Sequence, residues 1–312
     1  MPRKTRILLR ARPLAAFVFS GIAACASTPV DRRATAITDA DRDARRAVTS
    51  EEQIDVARIP ARSIGVLPFT VEAQDTLLLP LGHALAEFLS TDLSRSTALV
   101  VVDRLHTDAI LRELSLVDKG IVDPRTGPRV GRLIGARRLL IGSVRRGARG
   151  TIDISARVVD VLGGTVQTLV AANAPLDRAI DAEKVLALRV FEELGVTLTP
   201  AQRIAIEQRQ TTNLAATVAY GKGLDAESHG DAAGAAKAYQ EAAQRDAAFA
   251  GARTQLAGNS SRTAGSQIGG AQRVLALSAQ AINTPAGAKL PEAADAALVA
   301  KTLTLLITVR IF

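Results

Sequence analysis

Residues 63–104 read SIGVLPFTVEAQDTLLLPLGHALAEFLSTDLSRSTALVVVDR, and this stretch decides the fold class. The run from Ser63 to Val71 is apolar and contains β-branched residues, which predicts a buried strand. A helix is predicted next, because five apolar residues recur on one helical face: Leu81, Leu85, Phe88, Leu89 and Leu93. Leu99–Val102 then predicts a second strand. Strand, helix and strand in this order open an α/β domain.

The composition is that of a chain able to fold around a sizeable core. Of the 312 residues, 47% are apolar and 3% aromatic, with no Trp. The apolar content excludes disorder by composition. The shortage of aromatic rings argues against stacking platforms for single-stranded nucleic acid. The first 24 residues contain five basic residues and no acid, so their removal reduces the net charge from +8 to +3. We therefore predict no nucleic-acid partner.

The first 24 residues resemble the signal peptide of a bacterial lipoprotein. Residues 1–13 are basic, and residues 14–24 form an apolar stretch that is too short to span a bilayer as a helix. It ends in Ile22-Ala23-Ala24-Cys25, which resembles a lipobox, so we predict lipidation of Cys25. An ordinary secretory signal is the alternative. Cys25 is the only cysteine, which excludes a disulfide within one chain. By the same resemblance, Ala26 after the cysteine implies the outer membrane.

Residues 25–61 are predicted to be the lipidated cysteine and a tether. Their charges are dense and alternate in sign, with little apolar periodicity. Such a segment would space the folded part from the membrane. The alternative is a short surface helix over Asp39–Ala47.

The α/β domain is predicted to span residues 62–196. One helix is expected over 105–114, and another begins at Gly127-Pro128, because Pro suits the first helical position. Glycines at 127, 131 and 135 indicate that this helix approaches the sheet closely. The remaining predictions are strands at 138–144, 150–161 and 165–172, a hairpin turn at Gly163-Gly164, and a helix from about 177 that ends at Gly195.

Five ordered segments of this domain resemble the curli assembly and secretion lipoprotein family (CsgG-like), whose relatives include TolB amino-terminal-like domains. They are IGVLPF, ALVVVDR, LRELSL, VDPRTGPRVGRLIGARRLLIGSV and ISARVVDVLGGTV, within residues 62–194. The resemblance implies an α/β fold with a mixed sheet and packed helices. It also implies a non-enzymatic periplasmic lipoprotein on the outer membrane, which binds envelope proteins or serves their assembly and allows a homo-oligomer.

The type member of that family forms an oligomeric outer-membrane secretion channel, which is the alternative function. Its channel is built from inserted β-hairpins. A membrane strand needs about 9–11 residues, so a hairpin needs about twice that number. The intervals at 145–150 and 171–176 are too short, and we therefore expect no inserted hairpin at either place.

Residues 197–290 are predicted to be helical. Thr199-Pro200-Ala201-Gln202 matches a capping box. Residues 216–249 resemble a single tetratricopeptide repeat, with its packing positions at Gly223, Ala235, Tyr239 and Ala242. One repeat cannot bury both of its faces, so it must pack on neighbouring helices. We expect its groove to be a docking surface and the repeat to melt separately from residues 62–194.

Residues 291–312 form the last predicted segment and contain a strand. The sequence of residues 302–312, TLTLLITVRIF, alternates apolar residues with mostly polar ones. We interpret it as an edge strand or a strand that pairs with a partner.

Catalytic and metal-binding patterns are not found. His83, His106 and His229 lack ligand spacing, and surface or cap roles are predicted for His83 and His106. A solvated helix start explains Asp103 and Asp108. There is no nucleophile elbow and no P-loop. No cofactor is therefore predicted, and an enzyme is the least favoured of the three function classes.

A block of basic residues without acidic neighbours is the remaining feature that indicates a binding surface. No acidic residue occurs between Pro124 and Ile152. Five of its arginines form a candidate patch for an anionic partner, and the alternative is a solvated face. They are Arg137, Arg138, Arg145, Arg146 and Arg149.

Overall fold

The computed structural model describes residues 29–71, 75–76, 78–116 and 126–259. Cys25, Arg125 and the strand predicted at 302–312 lie outside these residues. The helices are α1 (Pro29–Thr49), α2 (Leu78–Leu93), α3 (Arg104–Glu113), α4 (Gly127–Ile134), α5 (Ala179–Glu193), α6 (Pro200–Glu207), α7 (Leu214–Ser228), α8 (Ala232–Arg245) and α9, described over 250–259. The strands are β1 (Ser63–Val66), β2 (Thr70–Val71), β3 (Val100–Val101), β4 (Arg138–Arg146), β5 (Thr151–Asp160) and β6 (Val166–Pro175).

The strands form one mixed sheet in the order β3-β1-β4-β5-β6, and β2 also pairs with β4. β1 runs parallel to β3 and β4, whereas β4, β5 and β6 are successive antiparallel neighbours. β4 and β5 are joined by a short turn, and β6 leads directly into α5. Over the described residues, no further hairpin is inserted at either place. The predicted α/β class with a mixed sheet is confirmed.

Helices cover the two faces of the sheet unequally. On one face α2 and α5 pack on the strands, and Leu140, Val144 and Ile154 contribute to that core. On the other face α3 and α4 pack on the strands, and Leu139 and Val159 contribute to a smaller core. The smaller core leaves part of β4 and β5 uncovered. Half-buried or exposed polar residues occupy that part of the sheet: Ser143, Arg145, Asp153, Ser155 and Arg157. We call these five residues the polar face.

The helix predicted after residue 126 forms as α4, with Pro128 in its first turn. Its glycines have different roles. A Cβ atom on Gly131 would lie 2.2 Å from Val161 Cγ2, so the close approach to the sheet is confirmed at this position. Gly135 instead ends the helix with φ of 72°, a left-handed conformation that glycine adopts without strain. A Cβ on Gly127 would make only ordinary contacts, the nearest at 3.5 Å.

The tether predicted for residues 25–61 is wrong over residues 29–49, which form the helix α1. Ile37, Ala40 and Ala44 are buried, and α1 packs against α3. An ion pair between Arg112 and Asp41 also joins the two helices. These three buried residues follow one another at intervals of three and four positions, which is the apolar stripe of an amphipathic helix. The dense charges on its other faces hid this stripe, and the alternative helix over Asp39–Ala47 was correct but too short.

The helices α7 and α8 form a hairpin whose turn is His229-Gly230-Asp231. As expected, the hairpin packs on a neighbouring helix, which is α2. Tyr220 stacks on Phe88 of α2 with ring centroids 5.8 Å apart. The same continuous core contains the sheet, α2, α5 and this hairpin. The expectation that the repeat melts separately therefore loses its basis.

Candidate functional site

The outer edge of β6 is the longest exposed strand edge in the described sheet. The Gly147 N–H donates to the Thr151 carbonyl at 2.9 Å, so the backbone of Thr151 faces β4. The backbone N–H and C=O groups of successive strand residues point to opposite sides of the strand. Those of Ile152 and Ile154 therefore point towards their β6 partners. On β6 itself, the backbone groups of Ala172 and Ala174 point to β5. Those of Ala171 and Asn173 consequently point away from the sheet.

Two side chains of α5 overhang this edge. The Arg189 guanidinium donates to the outward carbonyl of Ala171. Val185 lies one helical turn earlier, on the same face as Arg189, and is 43% exposed. β6 carries no charged residue over its ten positions. We call the outward backbone of β6, together with Val185 and Arg189, the open edge. A strand edge of this length that has no charged residue of its own is a template for pairing with another strand.

The polar face continues from the open edge across β5 to β4. The Asn173 side chain donates to Asp153, and Arg145 Nη2 lies 2.8 Å from Asp153 Oδ2. The hydroxyls of Ser143 and Ser155 are 2.9 Å apart. These polar groups therefore satisfy one another within the sheet. Together the edge and the face can hold an extended polypeptide by main-chain hydrogen bonds.

The five arginines of the predicted anionic-partner patch do not form one patch. Arg138 begins β4 and Arg146 ends it, which places them roughly 26 Å apart at about 3.3 Å per residue. Arg137 lies beside Arg138. Arg145 and Arg146 pair with Asp153 and Asp75, and Arg149 is exposed in the turn after β4. A block that is continuous in sequence is thus separated by the length of one strand.

A buried ion-pair cluster joins the helical hairpin to the α/β domain. Arg104, at the start of α3, directs three guanidinium nitrogens to three carboxylates. The distances are 3.2 Å from Nε to Glu87 Oε2, 2.5 Å from Nη1 to Asp108 Oδ2 and 2.5 Å from Nη2 to Glu227 Oε2. The carboxylates come from α2, α3 and α7. We call Arg104 and these carboxylates the Arg104 cluster.

Neighbouring polar groups complete the cluster around Glu227. The Tyr239 hydroxyl donates to Glu227 Oε2 at 3.0 Å, and Asn259 Nδ2 donates to Glu227 Oε1 at 3.1 Å. Tyr239 belongs to α8 and Asn259 to α9. Five helices therefore meet at Arg104 and Glu227. These hydrogen bonds give both carboxylate oxygens of Glu227 a partner, which is the condition for a tolerable buried charge.

Burial shifts the titration of the groups in this region. It raises the pKa of Asp108 to about 6, although the Arg104 guanidinium opposes the shift. Burial alone would lower the pKa of Arg104, but Asp108, Glu227 and Glu87 raise it well above its ordinary value. Burial also lowers the pKa of His83 to about 4, against the opposing charge of Asp225. At neutral pH the imidazole is therefore uncharged.

Two sequence-based roles are corrected here. A surface or cap role was expected for His83, but its side chain is 12% exposed and its Nε2 lies 3.4 Å from Asp225 Oδ1 on α7. Asp108 was assigned to a solvated helix start, but it is buried against Arg104. Both lie where the α7–α8 hairpin approaches α2 and α3, a packing that no local pattern records. Asp103 does cap α3, since it accepts from the Leu105 N–H at 2.7 Å.

The four residues predicted to pack the repeat lie together in the hairpin and are all buried. A Cβ on Gly223 would lie 2.4 Å from the Tyr239 ring, so these two positions are in close contact. Ala235 and Ala242 are fully buried. Sequence reasoning missed Arg104 and Glu227. The only available signal was Glu227 itself, an acidic residue three positions after Leu224 on the apolar face of the predicted helix.

Over the described ranges, His, Asp and Glu side chains do not form a group of three that could hold a metal ion. No helix in those ranges combines the length and the apolar content that crossing a bilayer requires.

The fold and these sites define a mixed α/β protein with an exposed sheet edge and a helical hairpin held by buried ion pairs. Residues 58–150 match the family described as curli production assembly/transport component CsgG. The resemblance recognised in the sequence is therefore confirmed for this region, which extends from just before β1 to the turn after β4. The tetratricopeptide-like assignment of α7 and α8 remains a prediction.

Other comparisons gave weaker results. No curated protein sequence gave a significant match. The chain resembles the C-terminal domain of LpoB from Salmonella enterica with 15% identity and a TM-score of 0.31, over 41% of this chain and 92% of that one. It resembles the lipoprotein GNA1162 from Neisseria meningitidis with 20% identity and a TM-score of 0.32, over 45% of this chain and 100% of that one. Similarity at this level is too weak to transfer a function.

Proposed function

We propose that this protein is a non-enzymatic lipoprotein of the bacterial envelope, anchored to the periplasmic side of the outer membrane through Cys25, that binds other envelope proteins during their assembly or transport. The match of residues 58–150 to an assembly and transport component supports this role. The lipobox-like sequence before Cys25 supports the anchor. The open edge of β6 is the observation that carries the binding role.

Binding at the open edge occurs by strand addition. A partner segment in extended conformation hydrogen bonds to the outward backbone groups of Ala171 and Asn173. Side chains on one side of the added strand cover Val185, and those on the other side meet the polar face. Main-chain hydrogen bonds supply the affinity, and the alternation of the partner's side chains supplies the specificity.

Replacing Ala171 with Pro tests the edge directly. The Ala171 N–H points outward, so Pro removes a donor to the partner without breaking the β5–β6 ladder. A photo-crosslinker at position 173 is expected to capture a partner in the intact envelope, and A171P is expected to reduce the crosslinked product at least tenfold. Its thermal unfolding should change little.

The matched control is Ala172→Pro, which removes a donor that faces β5, leaves a carbonyl of β5 without its partner and should lower the stability by about 1–3 kcal/mol. A crosslinker at the exposed Arg203 of α6 reports the background. Equal products from positions 173 and 203, or an unchanged product in A171P, would contradict binding at this edge.

Changing Cys25 to Ser tests the anchor. The wild-type protein is expected to carry the mass of its acyl chains, to enter the detergent phase and to sediment with outer membranes, because several acyl chains hold far better than one. The C25S protein should lack the acyl mass and should remain unprocessed or unanchored. Thr28→Ala is the control, since it leaves the lipobox-like sequence intact. Unaltered detergent partitioning of C25S would rule out lipidation at this residue.

A further inference from the structure

We propose that residues 302–312 of this chain pair with the open edge of β6 and cover it until a partner displaces them. The displacement rests on the proposed function, whereas the pairing does not. The occupant of the open edge is then a segment of this chain itself. The length, the polarity and the reach of residues 302–312 support this pairing.

Length is the first argument. Residues 302–312 supply eleven positions, and β6 has ten. Neither Pro nor Gly occurs between 302 and 312, so no position there lacks an N–H or weakens an extended conformation. A strand of this length can therefore follow the outer edge of β6 from end to end.

Polarity is the second argument. Strand residues alternate between the two faces of a sheet. One set in this segment is wholly apolar, and the other is mostly polar. The apolar set is Leu303, Leu305, Ile307, Val309 and Ile311, and the other set is Thr302, Thr304, Leu306, Thr308, Arg310 and Phe312.

The sheet beside the open edge has the same division. On β5, Ile152 and Ile154 belong to the core under α5, whereas Asp153 and Ser155 lie on the polar face. An added strand must match this division, because a shift of one residue would place its whole apolar set on the polar face. In the matching register, the apolar set lies beneath the overhang of α5 and covers Val185, which is 43% exposed.

The contact between Arg189 and Ala171 is compatible with pairing. The guanidinium donates to the outward carbonyl of Ala171. A carbonyl oxygen has two lone pairs, so it can also accept the N–H of an added strand. The Arg189 guanidinium and the added strand can therefore bond to the same carbonyl oxygen, and the side chain does not block the strand.

Reach is the third argument. The description of α9 stops at residue 259, and 42 residues separate it from residue 302. At a rise of 1.5 Å per residue, 42 residues would span about 63 Å even if all of them were helical, and more in any extended conformation. The radius of gyration of a folded domain of roughly 220 residues is about 17 Å. The segment can therefore reach β6 within one molecule.

Hydrogen exchange at alternate amides of β6 tests the pairing. The probes are the outward amides of Ala171 and Asn173, and the inward amides of Ala172 and Ala174 are internal controls. In the full chain, kept in detergent, the outward amides are expected to exchange at least tenfold more slowly than in a chain that ends at residue 300. The inward amides should be equally protected in both.

Two further variants keep the test independent of truncation. Ile307→Pro in the full chain should release the outward amides, because Pro interrupts an added strand, whereas Lys301→Ala should not. A synthetic peptide of residues 302–312 should restore protection to the shortened chain. Fast outward exchange in the full chain, or protection that survives removal of residues 301–312, would overturn the proposal. Protection that rises with protein concentration would indicate a second copy instead, and would also overturn it.

The partner crosslink at position 173 separates this inference from the proposed function. Removal of residues 301–312 is expected to increase the crosslinked product severalfold. If the amides respond as expected but the product does not increase, the pairing stands and the displacement by a partner is wrong. If A171P abolishes the product while the outward amides exchange freely in the full chain, the proposed function stands and the pairing is wrong.

Discussion

Gly221→Ala is expected to destabilise the protein by roughly 3 kcal/mol or more, although Ala is the better helix former. Gly221 lies on α7 where that helix crosses α2. A Cβ atom at this position would lie 1.7 Å from the carbonyl oxygen of Pro80. A backbone oxygen cannot rotate away as a side chain can, so the two helices must separate. The separation would disturb the stacking of Tyr220 on Phe88.

Urea unfolding, followed by circular dichroism, measures this effect. Lys222→Ala is the control, because Lys222 is exposed at the next position of the same helix, and its change should stay within about 0.5 kcal/mol. G221A is expected to lower the midpoint of one transition that includes the sheet and the hairpin, since both share a core. Separate unfolding of α7–α9 while the β4 and β5 amides stay protected would show that the hairpin is an independent module.

Arg104→Met is expected to lower the free energy of unfolding by about 3–5 kcal/mol at pH 7, because it leaves buried carboxylates without their cation. Glu87, Asp108 and Glu227 then face one another across the site of the lost guanidinium. Their hydrogen bonds to Tyr239 and Asn259 do not replace a positive charge. Arg104→Lys keeps the charge but loses the three-way geometry, so it should fall between the wild type and R104M.

The loss in R104M should depend on pH. The Arg104 guanidinium opposes the rise of the Asp108 pKa, so without it the pKa of Asp108 rises further above its unfolded value. A group of this kind contributes stability below its unfolded pKa, and that contribution is lost as pH rises through its folded pKa. Asp108, with a pKa of about 6 in the wild type, already follows this direction between about pH 4 and 6. The deficit of R104M relative to the wild type should therefore be smaller at pH 5 than at pH 7.

Unfolding of both proteins at pH 5, 6 and 7 measures this dependence. His83 has the opposite tendency, because its pKa is lowered to about 4 and its contribution is lost as pH falls. His83 is present in both proteins, so its effect largely cancels in the difference between them. A deficit that is constant from pH 5 to 7 would contradict the assignment of the loss to the carboxylates.

Local pattern was sufficient for most elements of the fold. The apolar spacing from Leu81 to Leu93 predicted α2, and all five of its apolar positions are buried. The capping box at Thr199 also forms, with the Thr199 hydroxyl accepting from the Gln202 N–H at 3.2 Å and Gln202 accepting from the Thr199 N–H at 2.9 Å. These features could be predicted because each depends on residues within a few positions of one another.

The candidate sites were much less predictable. Which β6 amides point outward follows from register with β5, and register is a property of the paired strands. The basic block looked like one patch because its residues are close in sequence, but β4 is extended and separates its two ends. An extended strand carries nearby residues apart, whereas a helix or a turn would have kept them together.

The sequence by itself determined the α/β class, the order of most elements, the helical hairpin and the resemblance to the CsgG family. Only the tertiary structure decided that α1 packs on α3, that His83 and Asp108 are buried, and that Arg104 pairs with Glu227. The last two residues are 123 positions apart. Apolar periodicity and helix capping depend on interactions between residues within one or two helical turns of each other. Burial and ion pairing depend on which distant surfaces meet, and that is settled only when the whole core is assembled.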